Sequence, residues 1–165
     1  MSKFRVFVSS PVDDIVEYRD AIYDLALAAN ARGRFDVFLY ESHDIPTIPG
    51  RTIVESIFDV AGHDFDAFFI FFKDRLGAGT QAEYEYFRDI LRPANPNIKL
   101  WWAQIHCQKN EDCVNDLLAE INPPPGHLGM PTFDGPRTIT EPSHLANRFF
   151  GTLLDIGISL SPDGS

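Results

Sequence analysis

Glu83 is the carboxylate whose setting most suggests chemistry. It stands in Gly79-Thr80-Gln81-Ala82-Glu83-Tyr84-Glu85-Tyr86-Phe87, after the most hydrophobic run of the chain, Phe65 to Phe72. A glycine-bearing turn from a buried strand into a helix is expected to place Glu83 in that helix's first turn. Open parallel sheets form their ligand crevice at this carboxyl end of the strands. Positions 83, 86, 87 and 90 share one helical face, and Tyr86, Phe87 and Ile90 make that face apolar. Glu85, Arg88, Asp89 and Arg92 fall on the other side, so Glu83 is the carboxylate that points inward. Burial there raises a carboxyl pKa, while a helix N-terminus favours the ionised form. Thr80-x-x-Glu83 is also the spacing of a capping box, a purely structural device compatible with a chemical role.

Further residues could bear on such a site. Arg19 falls on the apolar stripe of the first helix, between Val16 and Ile22. An inward guanidinium needs a carboxylate, a phosphate or carbonyl oxygens, and Asp44, Asp66 and Glu83 are candidate internal partners. Ser9 and Ser10 end the first strand, where their hydroxyls could contact a ribose or phosphate or simply cap the following helix. Phe72 and Tyr84 flank the turn before Glu83 and could wall a pocket, or could simply pack. His43 and His63 sit in or near loops without an acid partner at a telling spacing. His106-Cys107 matches no common zinc-ligand spacing, and no metal is expected.

The elements that must position these residues alternate. Phe4 to Val8 is a strand, and Ser9-Ser10-Pro11 is expected to open a helix with a hydroxyl cap and proline at the first turn. Val12, Ile15, Val16, Ile22, Leu25, Ala26 and Ala29 form its stripe, and Gly33 ends it. Val37 to Tyr40 is a second strand, and Ser42 to Arg51 is a proline- and glycine-bearing loop that could help to wall the crevice. Thr52, with Glu55 three residues on, opens a helix that Gly62 ends. Phe65 to Phe72, apolar on both faces, suits the centre of a parallel sheet. A helix from about Gln81 ends near Pro93, and a strand covers Ile98 to Ile105 with Trp101 and Trp102 on opposite faces. A helix spans Asp112 to Ile121, a long loop runs from Pro123 to Pro136, and a short strand is expected at Thr138-Ile139-Thr140. A last helix covers Ser143 to Ile156. This implies a doubly wound α/β sandwich with a five-stranded, mainly parallel sheet of order 2-1-3-4-5. One domain over residues 1–158 is expected, with 159–165 a tail or linker start.

The totals bound the partners. At 165 residues and 44% apolar composition the chain can build a full core. Its net charge of −10 argues against a nucleic-acid backbone or an anionic membrane as main partner, but leaves room for a nucleotide held by a local positive spot. The amino terminus has no signal-peptide pattern, and no apolar run approaches the roughly 18 residues of a membrane span. With two cysteines, Cys107 and Cys113, a cytoplasmic setting is expected. There is no GxGxxG, no phosphate-loop GxxxxGK[ST] and no GxSxG elbow.

Two segments together resemble a known family. Val6-Phe7-Val8-Ser9-Ser10-Pro11, with Asp13 through Arg19, resembles the opening of the TIR-like domains found at the front of STAND-type signalling NTPases. The later hydrophobic strand, glycine turn and Thr80-x-x-Glu83-Tyr84-Glu85 are similar to the Thr-x-x-Glu-Tyr element of the same domains. Both segments are also similar to nucleoside 2-deoxyribosyltransferases, which carry Gly-Thr-x-x-Glu in a strand-to-helix turn. The likeness spans roughly residues 4–105. Gln81 stands where the signalling domains often carry an acid, and Glu85 where the transferases usually carry glycine.

The resemblance implies a flavodoxin-like (TIR-like) three-layer sandwich. In catalytic relatives the glutamate at this helix start attacks or stabilises the anomeric carbon of a sugar, which here is Glu83. The implied activity is cleavage of the N-glycosidic bond of NAD, or of a related nucleotide, as substrate rather than cofactor. Ser9, Ser10 and Arg19 would then contact ribose or phosphate, and Phe72 and Tyr84 would line the pocket. Self-association and a part in signalling or antiphage defence are implied with it. The alternatives are a non-catalytic assembly module of the same fold and a nucleoside 2-deoxyribosyltransferase.

Overall fold

The computed structural model describes residues 3–39, 49–122 and 136–160. Its elements in chain order are β1 (Phe4–Ser9), α1 (Val16–Ala31), β2 (Phe35–Leu39), α2 (Ile53–Ala61), β3 (Ala67–Phe72) and α3 (Gly77–Tyr86). A π-helical turn (Phe87–Leu91) and α4 (Arg92–Ala94) continue α3, followed by β4 (Lys99–Gln104), α5 (Asp112–Ile121) and α6 (Pro142–Leu160). The expected continuation of β2 to Tyr40, the loop residues 42–48 with His43 and Asp44, the loop over 123–135 and the tail at 161–165 lie outside the described residues.

The four strands form one parallel sheet of order β2-β1-β3-β4, flanked by helices on both faces, an arrangement consistent with a flavodoxin-like fold. A fifth strand was expected at Thr138-Ile139-Thr140, but that segment makes only a single parallel bridge, Ile105 to Ile139. Ile139 N–H donates to Gln104 O (3.2 Å), and His106 N–H donates to Ile139 O (2.6 Å). The turn at Arg137 (φ 60°) and the start of α6 at Pro142 leave too little chain between them for a longer ladder. α6 runs from Pro142 to Leu160, longer at its end than the helix expected to Ile156.

The core divides by strand alternation, since successive side chains face opposite sides of a sheet. Val6, Val8, Phe69, Phe71 and Trp101 pack with the α1 and α6 layer. Phe7, Phe68, Ile70, Phe72 and Trp102 pack with the α2, α3 and α5 layer. Phe7 anchors the second layer, stacked on Phe58 with ring centroids 4.6 Å apart. β3 is buried along its whole length, as a central parallel strand requires.

The helix boundaries carry both agreement and correction. Thr52 caps α2 in a complete capping box with Glu55, and Gly62 (φ 85°) ends it. α1, however, begins at Val16 with Ile15 at its N-cap and no side-chain cap, so Ser9, Ser10 and Pro11 do not open it. Ser9 belongs to β1, and Ser10 is engaged by Arg19. Val12 and Val16 are correspondingly exposed rather than part of the stripe, while Ile15, Ile22, Ala26 and Ala29 are buried. α3 begins at Gly77, one turn before the expected Gln81. Its buried face is Thr80, Glu83, Tyr84 and Phe87, continued by Leu91, and Ile90 is exposed.

Candidate active site

Alternation along β1 decides where Ser9 points. Phe7 faces the α2 and α3 layer, so Ser9, two residues on, faces it too. Ser9 lies at the carboxyl end of β1, paired with Ile70 of β3. α3 follows β3 and packs over that end, bringing Glu83 back onto the serine. Ser9 Oγ donates to Glu83 Oε1 at 2.5 Å, and both residues are buried.

Glu83 is the seventh residue of α3, not part of its first turn. Thr80 is likewise inside the helix, so Thr80-x-x-Glu83 is not a capping box here, and the helix N-terminus is too far along the chain to set the charge of Glu83. Burial instead pushes the Glu83 carboxyl up from its ordinary 4.5 to about 7, against the Ser9 hydrogen bond and the Arg19 charge, which both favour the ionised form. Among the described residues Oε2 accepts no hydrogen bond, and Glu83 lines the adjoining cavity.

That cavity measures about 570 Å³. One wall comes from the segment after β1, including Ser10, Pro11 and Asp13. A second is the start of α2, with its cap Thr52 and with Ile53, Val54 and Ile57. The third is Arg75 with the first turns of α3, through Gly79 and Ala82 to Glu83. Gly77 takes φ 73°, a left-handed value that glycine adopts without strain, and Gly79 leaves open space where a Cβ would stand. Arg75 Nε lies 3.4 Å from Asp14 Oδ2 at the rim.

Arg19 is buried and lines the same cavity. Its Nη1 donates to Ser10 O (2.7 Å), to Ser10 Oγ and to Pro11 O (3.4 Å), fixing the turn that follows Ser9. Of the carboxylates considered for it, Asp66 accepts instead from Arg5 N at 2.8 Å, and Glu83 feels Arg19 as a nearby positive charge.

The structure thus brings Ser9, Ser10, Arg19 and Glu83 together and leaves two expected wall residues elsewhere. Phe72 is sealed in the core, stacked on Trp102 with centroids 6.4 Å apart. Tyr84 turns toward α5, where its hydroxyl donates to Glu120 Oε1 at 2.9 Å. It lines a separate cleft of about 440 Å³ between α3 and α5, and Leu76, Gly77 and Ala78 stand between the two spaces, lining both. Ser9 is buried outside the cavity wall, and its hydroxyl donates to Glu83. His63 accepts from or donates to Tyr86 Oη at 2.8 Å and plays no part in the site. Sequence reasoning missed Arg75 and the α2 wall. The signal was available, because both follow the carboxyl end of a strand, the end from which Glu83 was placed.

No protein-family model matches the chain, and no curated protein matches it either. Among solved structures it is similar to a conserved protein from Enterococcus faecalis V583, with 10% identity, a TM-score of 0.44, and coverage of 92% of this chain and 99% of that one. At that TM-score the overlap supports no argument about this chain. No helix among the described residues is long and apolar enough to cross a membrane.

Proposed function

We propose that the cavity beside Glu83 is the active site of a TIR-like N-glycosidase that cleaves NAD or a related nucleotide. The observation that carries this reading is one buried carboxylate, held through Oε1 by Ser9, in the wall of a cavity at the carboxyl ends of β1 and β3. Cleavage of an N-glycosidic bond develops positive charge at the anomeric carbon, and a carboxylate beside it stabilises that cation or bonds to it. In NAD the bond's electron pair leaves with the pyridinium nitrogen, giving neutral nicotinamide. No general acid is needed, so one glutamate suffices. Water then adds to the anomeric carbon and releases its proton to solvent. The cavity is large enough for part of a nucleotide, and Ile53, Val54 and Ile57 offer an apolar wall to a base.

The test is nicotinamide release from NAD by the purified protein at high concentration, where TIR-like chains would associate, beside Glu83→Gln. Release by the wild type alone supports the reading. Release by both removes Glu83 from the chemistry. Release by neither, with crowding, favours the non-catalytic assembly module, and base exchange between a deoxynucleoside and a free base would instead mark a deoxyribosyltransferase.

A further inference from the structure

We propose that Ser9 is a positioning residue: by holding Oε1 it fixes the Glu83 carboxylate in one rotamer and selects Oε2 as the oxygen that meets the reacting carbon. This rests on the reading of the cavity as an N-glycosidase site. Three observations carry it. Ser9 is buried and outside the cavity wall, so its hydroxyl has no access to a ligand and acts only through Glu83. Its backbone ends β1 in register with Ile70 of β3, directly after Val8, which pairs with Leu39 of β2, so the donor has little freedom to follow a moving carboxylate. Arg19 clamps the next two residues through Ser10 O and Pro11 O, which keeps the strand end from unravelling.

A hydrogen bond from a hydroxyl favours the charged form of a carboxyl, so Ser9 also sets how readily Glu83 ionises. Among the described residues, three other charged groups line the cavity with Glu83. The β1–α1 segment brings Asp13, α1 brings Arg19, and the β3–α3 turn brings Arg75, which Asp14 partly neutralises. The α2 wall carries no charge into the cavity.

The experiment compares wild type, Ser9→Ala and Ser9→Cys in two readouts. The first is the titration of the Glu83 carboxyl, followed by carboxyl-carbon NMR against Glu83→Gln as the blank. Loss of the hydroxyl moves the midpoint upward from about 7 by about one pH unit or more. The second is nicotinamide release, in which kcat falls about ten- to hundredfold with KM nearly constant, and the acid limb of the pH profile moves up with the titration. Ser9→Cys, nearly the same size with a weak S–H donor, gives an intermediate midpoint and decides the matter if Ser9→Ala does not fold. An unchanged or lowered midpoint in a folded variant overturns the proposal, as does a loss confined to KM. A wild type that releases no nicotinamide refutes the glycosidase reading and with it the choice of Oε2 as the reacting oxygen. The titration then still decides whether Ser9 holds the carboxylate.

Discussion

Glu83→Gln should make the folded protein more stable at neutral pH, and the gain should vanish in acid. A carboxyl whose pKa rises from 4.5 in the unfolded chain to about 7 in the fold is favoured by folding in its protonated form. The stability it contributes is complete below pH 4.5. Between that value and about 7 the unfolded state loses its proton while the folded state keeps it, so stability falls as pH rises. At ~1.4 kcal/mol per pH unit the ionised carboxylate costs about 3 kcal/mol above pH 7. Glutamine is never charged, keeps the side chain's size, and offers a carbonyl oxygen to the Ser9 hydroxyl. Chemical denaturation of wild type and variant between pH 4 and pH 8.5 measures the difference. The expected curves meet near pH 4 and separate by about 3 kcal/mol above pH 7, with the variant the more stable. A variant less stable than wild type at pH 8 would refute the reasoning, as would a gap that does not change with pH. A helix cap at Glu83 would give the opposite sign, a loss of about 1 kcal/mol.

Three further outcomes are expected. The kcat/KM for nicotinamide release should rise with pH and reach half its plateau near pH 7, because the free enzyme must ionise Glu83. The kcat profile should reach half-plateau at lower pH, since the bound pyridinium cation favours the carboxylate. Gly79→Ala places a methyl group in open space inside α3, so it should raise stability by about 0.5–1 kcal/mol while raising KM, as the methyl projects from the cavity wall; thermal denaturation and steady-state kinetics measure the two effects. Tyr84→Phe removes the donor to Glu120 and should cost about 1 kcal/mol or less of stability with nicotinamide release unchanged, because Tyr84 faces the other cleft; unfolding curves and the release assay check both.

Much of this geometry was legible in the residues themselves. The unbroken apolar run of β3 announced a central parallel strand, and Thr52-x-x-Glu55 announced a helix start that the structure has. The alternation of β1 carried more than was read from it. Phe7 and Ser9 share a face, so the serine had to point toward the helix that holds Glu83. What misled was local chemistry that had two possible uses. Ser-Ser-Pro has the composition of a helix start, yet a distant carboxylate and a buried guanidinium take up the two hydroxyls. Thr80-x-x-Glu83 has the spacing of a cap, yet Gly77 allows α3 to begin a turn earlier. Phe72 and Tyr84 stand near Glu83 in sequence, but strand and helix geometry turn each toward a different neighbour. Those outcomes depend on contacts between residues far apart in the chain, which local spacing does not encode.

Because Ser9 is the last residue of an inner strand and pairs with Ile70 of β3, the carboxylate is moored to the sheet rather than to its loops. Hydrogen exchange at β1 should therefore be governed by opening of the whole sheet, and the orientation of Glu83 should persist as long as that sheet does. Along a denaturant titration, ligand binding at the cavity and the tertiary signal should disappear in one transition. A site assembled only from loops would fade first.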